Sequence, residues 1–398
     1  MIEDIEITNF RCFDRLKVSG FKRVNLISGK NNVGKTALLE AIFLNSTPTK
    51  DTILSVIDSR INYSITNKTK KLSEKKWNDL FENQKTSIFF SIDSASENQK
   101  FKKVAVFMVD ERSNISELSS ALSIVMSEVS GKILDDILDE KINGDERKEF
   151  IHDQKKRIER EILNDNKAKD LMIIRIETDD NNYPQVIMLD KNTAIVLDRN
   201  QFSDNDTKHR SNSSFIQSNK RSSSIELTLE FDNARLEDKD KEVLNAFQII
   251  DPSIVAVESF SIPEPTIYLK RQGEKRMPLF LFGDAMNRMA DIILKIINSQ
   301  DSVLTIDEIE NGIHHSNQVA FWEFLYKLAE QLNVQIFATT HSLEMTEAFI
   351  KAGLERQDLA AHFELTRHEK TNKIVAINRD IETLEYGISH HKEVRGGA

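Results

Sequence analysis

Gly29-Lys30-Asn31-Asn32-Val33-Gly34-Lys35-Thr36 has the glycine, lysine and threonine spacing of a phosphate-binding loop. Gly29 and Gly34 allow a bend tight enough for successive amides, those of Asn31 and Asn32 among them, to face phosphate oxygens. Lys35 is positioned to reach the β and γ phosphates of a nucleoside triphosphate, and the Thr36 hydroxyl to meet a Mg²⁺ ion, which takes oxygen ligands in octahedral geometry. A chance match in a turn is the bland reading. The motif follows a short apolar run, Val24 to Ser28, and precedes a breaker-free helical stretch from Ala37 to Phe43, so strand, loop and helix stand in the order the chemistry needs.

Two further apolar runs end in polar groups. Val303-Leu304-Thr305-Ile306 leads into Asp307 and Glu308, a carboxylate pair suited to a metal station and a water-activating base. Taken alone, such a pair is more often a solvated strand end. Phe337-Ala338-Thr339-Thr340 leads into His341, which emerges on the same edge as Asp307 if both runs are strands of one sheet. A neutral imidazole there can sense the γ-phosphate and position water. Histidine by itself would read as a structural or surface residue, and it is the order of the three motifs that raises it.

The elements that must position these groups are legible in outline. Ile2 to Asn9 alternates as a strand. A helix is expected around Trp77 to Phe81, and strands at Ser87 to Ile92, Leu171 to Glu177, Gln185 to Leu189, Ala194 to Leu197 and Ile225 to Phe231. Ser116 to Lys169 is rich in Glu, Lys, Asp, Leu and Ile without proline, which suggests a modest helical arm. Late in the chain come a helix from Asp284 to Asn298, the acidic strand, a helix from Asn317 to Leu332, a strand at Val334 to Ala338 and a helix after His341. The division expected is the N-terminal part of a head at 1–110, a helical arm at 111–170, a β-rich part at 171–260 with a mobile loop at 200–224, and the C-terminal part of the head at 261–398. The start and the end then share one sheet interrupted by an insertion.

Composition bounds the reading. The chain has 398 residues, 39% hydrophobic and 30% charged, as expected of a folded globular protein. A formal charge of −10, from 64 acidic against 54 basic residues, argues against a uniformly basic nucleic-acid binder but is compatible with a local basic face, so DNA is not implied. Cys12, the single cysteine, cannot form an intrachain disulfide, and a reducing cytoplasm is the expected compartment. No run is long and apolar enough for a membrane span. The pairs His314-His315 and His390-His391 read as surface residues, because adjacent side chains on regular elements diverge.

These three motifs, together with Leu281-Phe282-Gly283-Asp284-Ala285-Met286-Asn287-Arg288, resemble the ABC-class ATPase heads of the RecF, SMC and OLD group. Ile7-Thr8-Asn9-Phe10-Arg11-Cys12-Phe13 looks like that group's opening strand, and Asp307-Glu308-Ile309-Glu310-Asn311-Gly312-Ile313-His314 like its acidic strand and following loop. The resemblance covers roughly residues 1–45 and 278–350. It implies an α/β fold, an ABC-type P-loop ATPase head with a mixed sheet, and a helical and β insertion between the phosphate loop and the signature segment. It also implies ATP and Mg²⁺ as ligands, and it gives Gly283 and Asp284 a role toward nucleotide held by a second head. The usual serine-glycine-glycine core is replaced here by Phe282-Gly283-Asp284, and Asp284 is expected to cap the following helix. A glutamine loop is implied as well, for which Gln84 is a weak candidate.

The stretch after His341 is too short for the nuclease module fused to OLD proteins. The whole pattern, with Glu385-Tyr386-Gly387 and Glu393-Val394-Arg395 near its end, resembles stand-alone ATPase subunits of two-gene anti-phage systems such as PARIS and Septu. That resemblance implies an ATP-hydrolysing switch or scaffold that self-associates through its heads, answers a phage protein trigger and controls a separate effector, a nuclease, encoded nearby. The alternative is a RecF- or SMC-like DNA-maintenance ATPase. A transport ATPase fits less well, because its heads are more compact than the long separation of Lys35 from Asp307 allows.

Overall fold

The computed structural model describes residues 1–48, 52, 55–56, 89–96, 102–109, 171–178, 185–189, 194–197 and 213–389. The expected helix at Trp77 to Phe81, the arm at 111–170, Gln84 and His390-His391 lie outside the described residues. The chain divides into two compact units, one made of Met1–Ile5, Leu16–Thr47 and Ser211–Ala398, the other of Glu6–Arg15 and Pro48–Arg210. The segment from Pro48 to Arg210 falls in the second unit, and the first unit resumes at Ser211.

β1 (Ile2–Phe10), β2 (Phe13–Ser19) and β3 (Val24–Gly29) open the chain, followed by α1 (Lys35–Ser46). The second unit carries an antiparallel meander of β4 (Phe89–Ser96), β5 (Lys102–Val109), β6 (Leu171–Thr178), β7 (Gln185–Leu189) and β8 (Ala194–Leu197). Its seven-stranded sheet runs β2-β1-β4-β5-β6-β7-β8.

The first unit continues with β9 (Ser214–Ile216), α2 (Ser224–Leu236), α3 (Asp240–Ile250), β10 (Ile254–Phe260), β11 (Thr266–Arg271) and β12 (Met277–Pro278). It ends with α4 (Asp284–Asn298), β13 (Val303–Ile306), α5 (Gln318–Gln331), β14 (Gln335–Thr339), α6 (Leu343–Gly353), β15 (Ala360–Arg367), β16 (Ile374–Arg379) and α7 (Ile381–Ser389). A small antiparallel sheet holds β10, β11 and β12, while the main sheet runs β16-β15-β3-β14-β13-β9. Within the main sheet β9, β13, β14, β3 and β15 are parallel, and β16 is antiparallel at the edge. Parallel strands covered on both faces need continuous apolar runs, and β14 is buried at every position. The expected union of the chain's start and end in one sheet is therefore present, with β3 between β14 and β15.

One expected strand is a helix. Ile225, Leu227, Leu229 and Phe231 alternate with polar residues and suggest period two, yet Ser223 and Glu226 form a capping box and Ser224–Leu236 is helical. The helix buries Leu227 and Phe231, four apart, and leaves Ile225 51% and Leu229 59% exposed. The loop expected across 200–224 likewise contains β9 and this cap. Asp284 begins α4 but does not cap it, since Gly283 at φ 88° holds the cap position.

Helix α1 is buried along nearly its whole length, from Ala37 to Leu44. Under the sheet Trp322 meets Phe349 edge to face with centroids 4.9 Å apart, fixing α5 against α6. Gln335 pins the N-terminus to β14: its Oε1 accepts from the Ile2 amide at 2.8 Å, and its Nε2 donates to the Ile2 and Lys22 carbonyls at 2.7 and 2.9 Å.

His362 on β15 is fully buried, and neither ring nitrogen has a hydrogen-bond partner among the described residues. Burial, with Arg379 adding to it, pushes its pKa down to about 3. Because the unfolded chain takes up this proton near pH 6.5 and the folded one does not, stability is fully present above that pH and is lost as pH falls from 6.5 toward 3. His362→Leu should remove about 2 kcal/mol of the stability difference between pH 6.5 and pH 5, read from urea midpoints. Parallel pH profiles for the two proteins would contradict this.

Candidate functional site

The ends of β3, β13, β14 and β9 lie side by side at one edge of the main sheet, where an open α/β sheet binds its ligand. Beyond β3 the loop turns through Gly29 at φ 147°, Asn32 at φ 61° and Gly34 at φ 89°. A Cβ on Gly29 would come 2.4 Å from the Leu365 carbonyl oxygen, so the loop's start has room for glycine alone. Gly34 caps α1 without a side-chain hydrogen bond, which leaves the first-turn amides to donate to phosphate oxygens.

Lys35 folds back over this loop. Its Nζ donates to the Gly29 and Lys30 carbonyls at 2.8 and 2.9 Å and stands 3.2 Å from His341 Nδ1. Burial draws its pKa down to about 8, against the opposing pull of Asp307, Glu310 and Glu308. The lysine and the acidic strand, far apart in sequence, meet in one place.

Asp307 is the hub. Thr36 Oγ1 donates to its Oδ1 and Oδ2 at 3.1 and 3.0 Å, Thr339 Oγ1 to Oδ1 at 2.7 Å, and Ser218 Oγ to Oδ2 at 3.2 Å. These are oxygen donors only, and their separations match neighbouring ligands of an octahedral Mg²⁺, about 3 Å apart for metal–oxygen bonds of about 2.1 Å. The residues present fit a hard divalent cation, which Thr36 and Asp307 would hold.

Glu308 sits at φ 50°, a conformation other L residues rarely adopt, and three contacts sustain it. Its amide donates to Thr339 Oγ1 at 2.9 Å, the Ile309 amide donates to the Thr339 carbonyl at 3.0 Å, and Asn311 Nδ2 donates to Glu308 Oε2 at 3.0 Å. The remaining oxygen, Oε1, lies 3.8 Å from His341 Nε2. His341 is itself tethered, since its amide donates to Glu310 Oε1 at 2.6 Å. Both expected working groups thus face each other across the site.

Leu279–Phe282 form a single helical turn that leads into Gly283, where the resemblance implies the signature segment. Phe280 and Leu281 are 55% and 62% exposed, while Phe282 lies under the Arg271 guanidinium at 4.7 Å. A Cβ on Gly312 would come 2.8 Å from the Ala285 Cα, so the loop after the acidic strand presses on the first turn of α4.

Several residues had no local signal. Ser218, Gln217, Arg288, Thr339 and Glu310 surround the site, with Gln217 directly after β9 and beside the acidic strand. His314 and His315 do not diverge as expected: their rings lie 4.1 Å apart, on the exposed surface. Among the described residues no three His, Cys, Asp or Glu side chains group as a metal cluster, and no helix is long and apolar enough to cross a membrane.

The profile of a family described as an AAA ATPase domain matches residues 1–346. An ATP/GTP phosphatase of Helicobacter pylori is 24% identical over a 416-residue alignment that covers both chains in full. The DNA replication and repair protein RecF of Oceanobacillus iheyensis is 44% identical over 45 residues, 11% of this chain and 12% of that one. Among solved structures, an SMC head bound to the C-winged helix domain of ScpA covers 97% of this chain and 99% of its own at 9% identity, with a TM-score of 0.47. The SMC head domain from Thermotoga maritima covers 95% and 98% at 12% identity, with a TM-score of 0.39.

Lys35 gives a pH test. Its free-state pKa of about 8 means the ammonium is lost above that pH, whereas bound phosphate restores it. Triphosphate affinity should fall up to tenfold per pH unit above about 8, with net proton uptake seen by calorimetry in buffers of different ionisation enthalpy. Affinity that is flat between pH 7 and 9 would rule it out.

Proposed function

The chain belongs to the AAA ATPase domain family and is an ATPase; from this premise we propose that it is an ABC-type P-loop head of the RecF and SMC kind that works as a nucleotide-driven switch. The single observation that carries the reading is the convergence of Lys35, Thr36, Asp307, Glu308 and His341 on one sheet edge.

In the proposed cycle the loop from Gly29 through Asn31, Asn32 and Gly34 wraps the phosphates with its amides, and Lys35 leaves its loop carbonyls for the β and γ oxygens. Bound Mg²⁺ neutralises charge developing on those oxygens. Glu308 Oε1 takes a proton from water as the water oxygen bonds to the γ-phosphorus, while Asn311 keeps Oε2 turned away. The bond to the bridging oxygen breaks and ADP leaves with the electron pair. His341 orients the water and reports the γ-phosphate to Lys35.

Self-association follows from the signature segment. Phe280 and Leu281 present apolar surface beside Gly283 and Asp284, a face suited to a second head carrying nucleotide. The contact of Gly312 with Ala285 links that face to the acidic loop of the same head, so closure and hydrolysis can be coupled. As a defence subunit the switch acts in the cytoplasm, responds to a phage protein and restrains a separate nuclease encoded nearby; the resemblance to stand-alone anti-phage ATPases supports this assignment. Duplex binding by the closed form, as in DNA maintenance, is the competing reading, supported by the short RecF similarity.

Lys35→Ala should abolish nucleotide binding. Glu308→Gln should retain ATP and lose about 10²–10⁴-fold in turnover, and in sedimentation with ATP it should accumulate as the associated form. Equal hydrolysis by wild type and Glu308→Gln would show that the base is misassigned. Mass measurement of the protein expressed with its neighbouring genes tests the defence role: a nuclease should co-purify and be released by the trigger. ATP-dependent, salt-sensitive duplex binding with no such partner would favour DNA maintenance instead.

A further inference from the structure

We propose that Glu310 is the positioning residue that keeps His341 between Lys35 and Glu308, by gripping the main chain of the histidine with one carboxylate oxygen. This rests on the reading of Glu308 as the base and of His341 as the group that orients its water.

His341 stands where two regular elements leave a gap. The Thr340 amide still donates to the Ile27 carbonyl of β3 at 3.1 Å, and α6 opens at Ser342, whose hydroxyl accepts from the Met345 amide at 3.1 Å. His341 belongs to neither the strand nor the helix, so its amide needs an acceptor from elsewhere. Glu310 supplies one from 31 positions away, with Oε1 accepting at 2.6 Å. A carboxylate is the stronger kind of acceptor for a main-chain amide.

The direction of that carboxylate has no other explanation in hydrogen bonding. Its second oxygen, Oε2, is buried and makes no hydrogen bond among the described residues, which leaves the His341 amide as the partner the side chain reaches for. The turn that carries Glu310 also carries the base. Asn311 Nδ2 donates to Glu308 Oε2 at 3.0 Å, the Asn311 amide to the Glu308 carbonyl at 3.1 Å, and the Ile313 amide to the Glu310 carbonyl at 3.0 Å. One short turn therefore sets both sides of the 3.8 Å separation between Glu308 Oε1 and His341 Nε2. The other ring nitrogen stands 3.2 Å from Lys35 Nζ. Releasing the amide would let the ring leave both neighbours at once.

Charge is the rival. Of the carboxylates that favour the Lys35 ammonium, Glu310 ranks after Asp307 and ahead of Glu308. A counter-charge has only to be negative and near, whereas a tether needs reach and an acceptor oxygen. Substitution separates the two demands. Glutamine keeps the length and the oxygen without the charge; aspartate keeps the charge and is one methylene short.

The test measures steady-state ATP hydrolysis by full-length protein with Mg²⁺. Glu310→Ala should lower kcat about 100-fold and leave KM near the wild-type value, because the loop that wraps the phosphates is untouched. Glu310→Gln should recover most of that loss, and Glu310→Asp should not. Added to His341→Ala, Glu310→Ala should cost little more than His341→Ala alone, since both act through one imidazole. If Glu310→Ala does not fold, the order of Glu310→Gln and Glu310→Asp still decides. An active Glu310→Asp beside a slow Glu310→Gln overturns the tether, as do additive losses in the double variant. Wild-type turnover in Glu310→Ala beside a slow His341→Ala removes the Glu310 assignment alone. Wild-type turnover in both His341→Ala and Glu308→Gln removes the reading it rests on.

Discussion

A carboxylate drawn almost wholly out of water must be surrounded by donors, and Asp307, 5% exposed, collects hydroxyls from Thr36, Thr339 and Ser218. Each comes from a different element: the first turn of α1, the end of β14 and the turn after β9. Satisfying one buried charge therefore fixes where three segments end relative to β13. The same constraint reaches Glu308, because the Thr339 hydroxyl that donates to Asp307 also accepts the Glu308 amide and helps hold that residue at its positive φ. A substitution at Asp307 would free Thr36, Thr339 and Ser218 together and loosen the hold on Glu308.

Sheet order explains how a lysine and a distant acidic pair can share a ligand. β14 separates β3 from β13, so the loop lysine and the carboxylates stand two strands apart, with His341 rising from the strand between them. His341 bridges the gap, with Nδ1 toward Lys35 and Nε2 toward Glu308. Any event that moves Lys35 changes the surroundings of the histidine that faces Glu308.

Much of this was legible because it is local. The phosphate loop, the acidic strand and His341 each combine a short apolar run with a fixed polar ending, and α4 and β13 fall at the residues where their periodicity places them. What escaped depends on contacts made at long range. Ser214–Ile216 lies in a stretch of serine and asparagine and becomes a strand only because β13 offers it an edge. Arg288 reads as an ordinary helical charge until two carbonyls from elsewhere meet its guanidinium. The α2 segment misleads in the opposite direction: its alternation mimics a strand, and the Ser223–Glu226 capping box outweighs it while leaving Ile225 and Leu229 in water.

The most direct test of the convergence is a diffraction measurement on crystals grown with a non-hydrolysable ATP analogue and Mn²⁺, using the metal's anomalous signal. One strong peak is expected between the Thr36 hydroxyl and the Asp307 carboxylate, with the terminal phosphate against Lys35. A metal peak away from Asp307, or nucleotide bound outside the Gly29 to Thr36 loop, would contradict it.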